Sequence, residues 1–249
     1  MFISTHMIII SGCSWACGEW DVDHRAETKI PTLQHGGLAQ YITESGRQVL
    51  NLGIPGGTNL AAAKRVQTWL ERNSDVVVDK IFMFQTEWNR DHLMIFEDDF
   101  TNVTHANTVP NIWVARYYYR LVDIAKLANC AVYVIGGVAD ADWSDNFEQD
   151  YPGVKIACQS MTNLLINHNH RVDVPVLSWY NRHSPPLIKR IRGHLDDTET
   201  VKLLNDIDRG FERENLVFQH PEYFWPDGNH PNRAAHLVLY NYLIKNKYL

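Results

Sequence analysis

The sequence lacks an apolar run long enough to cross a membrane, because no segment approaches the ~20 residues that a transmembrane helix needs. Its first apolar run, from Met7 to Ile10, follows Thr5 and His6 and has neither the basic start nor the length of a secretory signal. This run predicts a first strand instead. We therefore expect a protein without a signal peptide, a transmembrane segment or a membrane partner.

Cysteine is also sparse, and its four positions, Cys13, Cys17, Cys130 and Cys158, do not show the spacing of a zinc site. Cys130 stands beside an apolar run, where cysteine usually behaves as a small buried hydrophobic residue. A reducing compartment is the simpler interpretation, and disulfides are the alternative that the spacing leaves open.

Basic charge is in deficit, with 23 Lys and Arg residues against 29 Asp and Glu and a net charge of −6. A protein that binds phosphate backbones usually presents a basic surface. The richest basic stretch, residues 189–194, is short and favours a solvated helix face. Nucleic acid is therefore not an expected partner.

Short apolar runs alternate with longer segments of helical spacing, which is typical of a parallel sheet covered by helices. The predicted strands are residues 7–11, 48–51, 80–85, 131–136 and 174–178. The predicted helices are residues 38–45, 59–72, 111–127 and 232–245, and Thr58 or Asn59 caps the second of them. We expect an α/β fold, a three-layer α/β/α sandwich with a mostly parallel five-stranded sheet, formed by one domain over residues 1–249.

Two stretches, residues 91–110 and 139–153, lack regular apolar spacing. Loops of this length in a compact domain are usually functional or mobile. The first follows the third predicted strand directly, so we expect it beside the mouth of the site, where loops commonly determine specificity. A solvated excursion without a role is an equally weighted alternative.

Ser14 lies in the motif GCSWACG, residues 12–18, directly after the first predicted strand. A serine at the point where a strand gives way to a helix exposes its hydroxyl and its own N–H in the same direction. That geometry suits a nucleophile whose amide also stabilises an oxyanion. A Gly/Ser turn with a helix cap is the structural alternative.

A glycine-rich motif, NLGIPGGTN at residues 51–59, follows the second predicted strand. Its glycines let the backbone approach a bound group closely and expose N–H donors. It is not a phosphate-binding P-loop, because no Gly-Lys-Ser/Thr follows. A purely structural strand–helix turn would give the same pattern.

The third motif, WPDGNHPN at residues 225–232, places Asp227 and His230 in one tight turn before the last predicted helix. A carboxylate there can orient the imidazole and stabilise its cationic form while the ring deprotonates a serine. Pro231 fits the first turn of the following helix. An Asn/Asp turn with an exposed histidine is the alternative.

These three motifs, in this order, resemble blocks I, II and V of the SGNH (GDSL-like) hydrolases, a family of esterases, lipases, thioesterases and carbohydrate deacetylases. The GCSWxxG opening is similar to that of phage and bacterial members. The resemblance implies a flavodoxin-like SGNH fold in which Ser14 is the nucleophile, His230 the base and Asp227 its orienting carboxylate. It also implies that the N–H groups of Ser14 and Gly56 form the oxyanion hole. Asn51 and Gly53 of block II would shape the loop.

Two positions depart from the family pattern. Cys13 replaces an aspartate that normally supports the loop, and a cysteine nucleophile here is the disfavoured alternative. The third block, usually GxND, reads FQTEWNRD at residues 84–91. Asn89, the candidate oxyanion donor of this block, therefore stands about two positions later in the sequence than the family pattern places its asparagine. Thr86 and Arg90 resemble a Thr-x-x-x-Arg version of this block. They are the candidate substrate-binding residues, and Arg90 would bind a substrate anion or donate to the oxyanion.

No metal site is expected. His168 and His170 stand two positions apart at the end of a predicted helix, where their side chains would diverge. The acidic residues at 97–99 lack the glycine and the spaced ligands of an EF-hand loop. His236, in the last predicted helix, is expected to be a packing or surface residue.

The resemblance implies a serine esterase that needs no cofactor and acts on a small-molecule or glycan ester, with a carbohydrate O-acetyl group as the preferred substrate. An acyltransferase with the same residues is one alternative. A catalytically weak binding or structural module, for example in a virion, is another. The expected location is accordingly cytoplasmic or virion-associated.

Overall fold

The structure is a computed structural model that describes residues 6–21, 32–86, 109–137, 140–141, 146–171, 222–224 and 230–249. Seven strands are defined within these residues. Five form the main sheet: β1 (Met7–Ser11), β4 (Gln48–Asn51), β5 (Val78–Gln85), β6 (Val132–Gly136) and β7 (Val154–Cys158). The other two, β2 (Glu19–Asp21) and β3 (Thr32–His35), form a separate antiparallel pair.

The main sheet has the order β4-β1-β5-β6-β7, and every neighbouring pair in it is parallel. Counted along the chain within this sheet, the order is 2-1-3-4-5, that of a flavodoxin-like doubly wound fold. In such folds ligands bind outside the carboxyl ends of the strands, at the point where the strand order reverses. Here that point lies between β1 and β5.

Helices cover both faces of the sheet. Their bounds are α1 (Ser14–Cys17), α2 (Gly37–Glu44), α3 (Asn59–Arg72), α4 (Val109–Ala128), α5 (Phe147–Asp150), α6 (Met161–Asn167) and α7 (Arg233–Lys245). Because side chains alternate along a strand, Ile8 and Ile10 pack with α2, α6 and α7, whereas Ile9 packs with α3 and α4.

The predicted three-layer α/β/α fold with a parallel five-stranded sheet is confirmed. No helix within the described residues is both long and apolar enough to span a membrane.

The fifth strand of the sheet differs from the prediction. It is Val154–Cys158, whereas residues 174–178, the predicted fifth strand, lie outside the described residues. Within the described residues β7 pairs only with β6, and it exposes Lys155, so its apolar pattern is short and interrupted. The antiparallel pair of β2 and β3 was not predicted either, because such short strands carry little periodic signal.

The helix starts depend on side-chain caps. α3 has the predicted bounds, and Thr58 caps it by accepting a hydrogen bond from the Ala61 amide at 3.2 Å. α7 begins at Arg233 because Asn232 is its cap and accepts from the Ala235 amide at 3.1 Å. Pro231 therefore precedes the cap, and its predicted place in the first helical turn is wrong.

His236 of α7 is completely buried between the sheet and the start of α2, so of the two expected roles, packing and surface, the structure shows packing. A Cβ on Gly37 would lie 3.0 Å from two atoms of its ring. Neither ring nitrogen has a hydrogen-bond partner within the described residues. Burial, with a smaller contribution from nearby His35, lowers the pKa of His236 to about 3. The ring is therefore neutral in the fold at any pH near neutrality.

We predict that His236 makes the fold sensitive to acid. The unfolded chain takes up a proton on this ring below pH ~6.5 while the folded chain does not, so stability falls as the pH falls through that value. At pH 5 this one group should cost about 2 kcal/mol relative to pH 7.5. Urea unfolding of the wild type and of His236→Leu at both pH values measures this cost. Between pH 7.5 and pH 5, the free energy of unfolding should fall by about 2 kcal/mol less in the variant than in the wild type.

A His6→Leu variant is the control for the loss of a histidine as such, since His6 is exposed and folding does not bury its ring. An unchanged pH dependence in the His236→Leu variant would contradict the interpretation.

Candidate active site

Ser14 stands at the carboxyl end of β1, beside the point where the strand order reverses. Gly12 turns the chain there with a φ of +149°, and a Cβ at this position would lie 2.7 Å from the Phe84 carbonyl oxygen of β5. Only glycine fits this close approach. Ser14 then becomes the first residue of α1, where the amide has no acceptor within the helix. The role of this N–H as an oxyanion donor stays a prediction.

His230 lies within hydrogen-bond distance of Ser14, although 216 positions separate the two in sequence. The distance from His230 Nε2 to Ser14 Oγ is 2.9 Å. Ser14 is 8% exposed and His230 is half-buried, so the contact between them is partly shielded from solvent. The hydroxyl and the ring nitrogen are close enough to share a proton, as a nucleophile and its general base must be.

The segment around His230 is fixed by contacts on both sides. Pro231 forms an isolated antiparallel bridge with Phe224, and the Asn232 amide donates to the Tyr223 carbonyl at 2.8 Å. Phe224 in turn packs against Trp15 of α1, with ring centroids 6.2 Å apart. The histidine is thus held against the helix that carries Ser14.

Three predicted site residues lie outside the described residues: Asp227, Asn89 and Arg90. Their catalytic and binding roles stay predictions. The same holds for the expected position of the segment after β5, of which residues 87–108 are outside the described part.

Gly56 lies in an exposed turn after β4. The Gly57 amide donates to the Ile54 carbonyl at 2.9 Å, and Gly56 has a φ of +70°, which the third position of a type II turn requires. The Ile54 amide donates to the Gly12 carbonyl at 3.1 Å, so this turn is bonded to the loop that precedes Ser14. The role of Gly56 as an oxyanion donor stays a prediction.

Asn51 and Gly53 shape this loop, as expected. The Asn51 side chain donates to the Ala16 carbonyl of α1 at 2.8 Å and accepts from the Gly53 amide at 2.9 Å. Arg65 of α3, which the sequence did not point to, adds two further bonds. Its guanidinium donates to the Leu52 carbonyl at 3.1 Å and to the Gly12 carbonyl at 3.0 Å. The β1 and β4 loops are thereby joined from both sides.

Thr86 lies at the end of β5 and is 1% exposed. Its amide donates to the Asn59 side chain, whose own amide group donates to the Thr86 carbonyl, both at 2.8 Å. This reciprocal pair fastens the end of β5 to the start of α3. Thr86 therefore belongs to the frame of the site, and its contact with a substrate stays a prediction.

The thiols near Ser14 are poorly suited to nucleophilic chemistry. Cys13 is completely buried, and burial raises the pKa of the Cys17 thiol to about 11. None of the four cysteines forms a disulfide. Within the described residues, no group of three or more side chains could hold a metal ion. His168 is exposed beyond the end of α6, while the ring of His170 packs against Tyr242.

No family model matches this chain. No curated protein matches it either. Some solved structures have a similar arrangement. One is LAE5, an alpha/beta hydrolase enzyme from the metagenome of Lake Arreo, Spain. It is 15% identical to this chain, with a TM-score of 0.41 and coverage of 98% of this chain and 95% of that one. The psychrotrophic esterase EstA from Pseudoalteromonas sp. has 11% identity, a TM-score of 0.42 and 98% coverage of both chains. A Slackia heliotrinireducens protein, assigned provisionally to the SGNH hydrolases, has 14% identity, a TM-score of 0.42 and coverage of 96% and 99%. With TM-scores below 0.5, the interpretation of the site rests on its own geometry.

We predict that Arg65 stabilises the fold through the loops around Ser14. Arg65→Met removes two hydrogen bonds from a charged donor, and such bonds contribute about 1.5–3 kcal/mol. Urea unfolding should show a loss of about that size. Arg120→Met is the control, because within the described residues Arg120 makes one bond, of 3.2 Å to the Gln67 side chain, and should cost about half as much as Arg65→Met or less. Equal losses in the two variants would contradict the role of Arg65.

Proposed function

We propose that this chain is a serine esterase of the SGNH type and that it hydrolyses an ester through an acyl-enzyme on Ser14. The observation that supports the proposal most is the 2.9 Å contact between Ser14 Oγ and His230 Nε2 at the carboxyl edge of the sheet. The start of α1 adds an amide without a helical acceptor at the same residue. A nucleophile, its base and an oxyanion donor then meet at one point.

In the proposed reaction, Ser14 Oγ bonds to the ester carbonyl carbon while its proton passes to His230 Nε2. The carbonyl electrons move to the oxygen, and the N–H groups of Ser14 and Gly56 stabilise the resulting anion, with Asn89 or Arg90 as a further donor. The bond to the alcohol then breaks, and the alcohol leaves with the proton from His230. Asp227 holds the other ring nitrogen and favours the cationic ring.

A water molecule completes the cycle. His230 takes a proton from the water as its oxygen attacks the acyl carbon, and Ser14 leaves with that proton when the acyl bond breaks. The released acid carries the acyl group. Arg90 and Thr86 are the proposed contacts to the substrate. A carbohydrate O-acetyl ester is the preferred substrate class, on the resemblance of the three motifs alone.

We predict that Ser14→Ala lowers the turnover of p-nitrophenyl acetate by about 10⁴-fold or more, because the acyl-enzyme can no longer form. Cys13→Ala should keep most of the activity, since the buried Cys13 is not the nucleophile. Circular dichroism should show the same secondary structure in both variants. A fluorophosphonate probe, followed by peptide mapping, should label Ser14 in the wild type and in Cys13→Ala.

The reverse pattern, an inactive Cys13→Ala and an active Ser14→Ala, would show that the nucleophile is wrongly assigned. Absence of both hydrolysis and labelling in the wild type would instead favour a binding or structural module. Transfer of the acyl group to an added alcohol in preference to water would favour an acyltransferase.

A further inference from the structure

Strand β2 touches the segments that carry both members of the Ser14–His230 pair. It follows α1 after Gly18, whose φ is +126° and whose Cβ would collide with the carbonyl group of His35. Trp20 of this strand donates from its indole nitrogen to the Ser14 carbonyl oxygen at 3.2 Å. β2 is therefore fixed to the nucleophile by a direct hydrogen bond.

Glu19, the first residue of β2, reaches the other member of the pair through Arg233. Its carboxylate accepts a hydrogen bond of 2.6 Å from the Arg233 amide and bonds of 2.7 to 3.1 Å from the guanidinium. These two residues are 214 positions apart in sequence. Arg233 is the first residue of α7 and closely follows His230. The carboxylate thus holds the start of the helix that the histidine precedes.

This contact differs from an ordinary surface ion pair, which usually contributes little. The Glu19 side chain is 10% exposed, whereas that of Arg233 is 57% exposed, so the carboxylate is the anchored partner. It also binds a backbone amide at a helix N-terminus, where a negative charge is favoured. The hydrogen bonds from the Arg233 side chain hold the pKa of Glu19 below its usual range, so the carboxylate is charged at neutral pH.

We propose that Glu19 is a positioning residue that keeps His230 within reach of Ser14 through its contact with Arg233. The inference rests on the proposed function. Asn232 and Tyr41 also hold the start of α7, through bonds to the Glu222 and Arg233 carbonyls. Loss of Glu19 therefore loosens the pair without detaching the helix, and a small misplacement of catalytic groups slows the chemical step more than it weakens substrate binding.

Glu19→Gln tests this inference with the substrate p-nitrophenyl acetate. Reactive serines are first counted by titration to completion with a fluorophosphonate, so that turnover is expressed per intact site. We expect kcat per titrated site to fall about tenfold while KM changes less than about twofold. The rate constant for labelling of Ser14 should fall in parallel. A merely structural role would reduce the number of titrated sites and leave the turnover of each unchanged.

Arg233→Gln should give a smaller fall in kcat, because the amide of residue 233 still donates to Glu19. Tyr242→Phe is the matched control: it removes a tertiary hydrogen bond of the same helix, to the Ala157 carbonyl at 3.0 Å, but leaves its first turn intact. It should keep the wild-type kcat per site. If Glu19→Gln yields no titratable serine, the inference is tested with Arg233→Gln instead. A kcat per titrated site below half of the wild-type value in Arg233→Gln then supports the positioning role, and a higher value contradicts it.

Ser14→Ala, measured alongside, separates the two proposals. Wild-type turnover per site in the Glu19 and Arg233 variants, together with an inactive Ser14→Ala, would overturn the positioning role alone. Hydrolysis retained in Ser14→Ala would overturn the proposed function, and the positioning role with it.

Discussion

The close approach of Gly12 to β5 determines how the carboxyl edge of the sheet is built. With a side chain at this position the β1 loop would collide with Phe84, and the chain could not turn into α1 where it does. The Gly12 carbonyl also accepts hydrogen bonds from the Ile54 amide and the Arg65 guanidinium. One residue without a side chain thus places Ser14, the turn that contains Gly56 and a side chain of α3 in a fixed relation.

The segments around the site are connected by hydrogen bonds between side chains and the backbone of distant segments. Asn51, Asn59, Arg65 and Glu19 each bond to main-chain groups of a different segment, and they are buried or half-buried. Such bonds are costly to leave unmade once the site is closed to water. They act together with the apolar packing of Trp15 and Phe224, which belong to the hydrophobic core.

Much of the fold was predictable because apolar runs and caps are local signals. β1 and β4 and the bounds of α3 follow directly from periodicity and from Thr58. β7 was missed because a five-residue strand with an exposed Lys155 shows only a short apolar pattern. The proximity of Ser14 and His230 was expected from motifs, with their order along the chain as the signal.

Neither a local sequence pattern nor a motif indicated the contact between Glu19 and Arg233. Opposite charges 214 positions apart cannot be matched by spacing, since many other pairs in the sequence are equally complementary. Arg65 was missed for a related reason: its acceptors are carbonyl groups, which every residue carries. Only the folded arrangement singles these side chains out.

The wide separation of Ser14 and His230 along the chain has a consequence for synthesis. The ribosome adds residues from the N-terminus towards the C-terminus, at about 5–20 residues per second. β1, β4 and β5 and the loop with Ser14 are synthesised well before His230, which follows every described element except α7. A nascent chain therefore carries the serine long before it carries the histidine. The paired site comes into being only after α7 has been synthesised and has packed against α2.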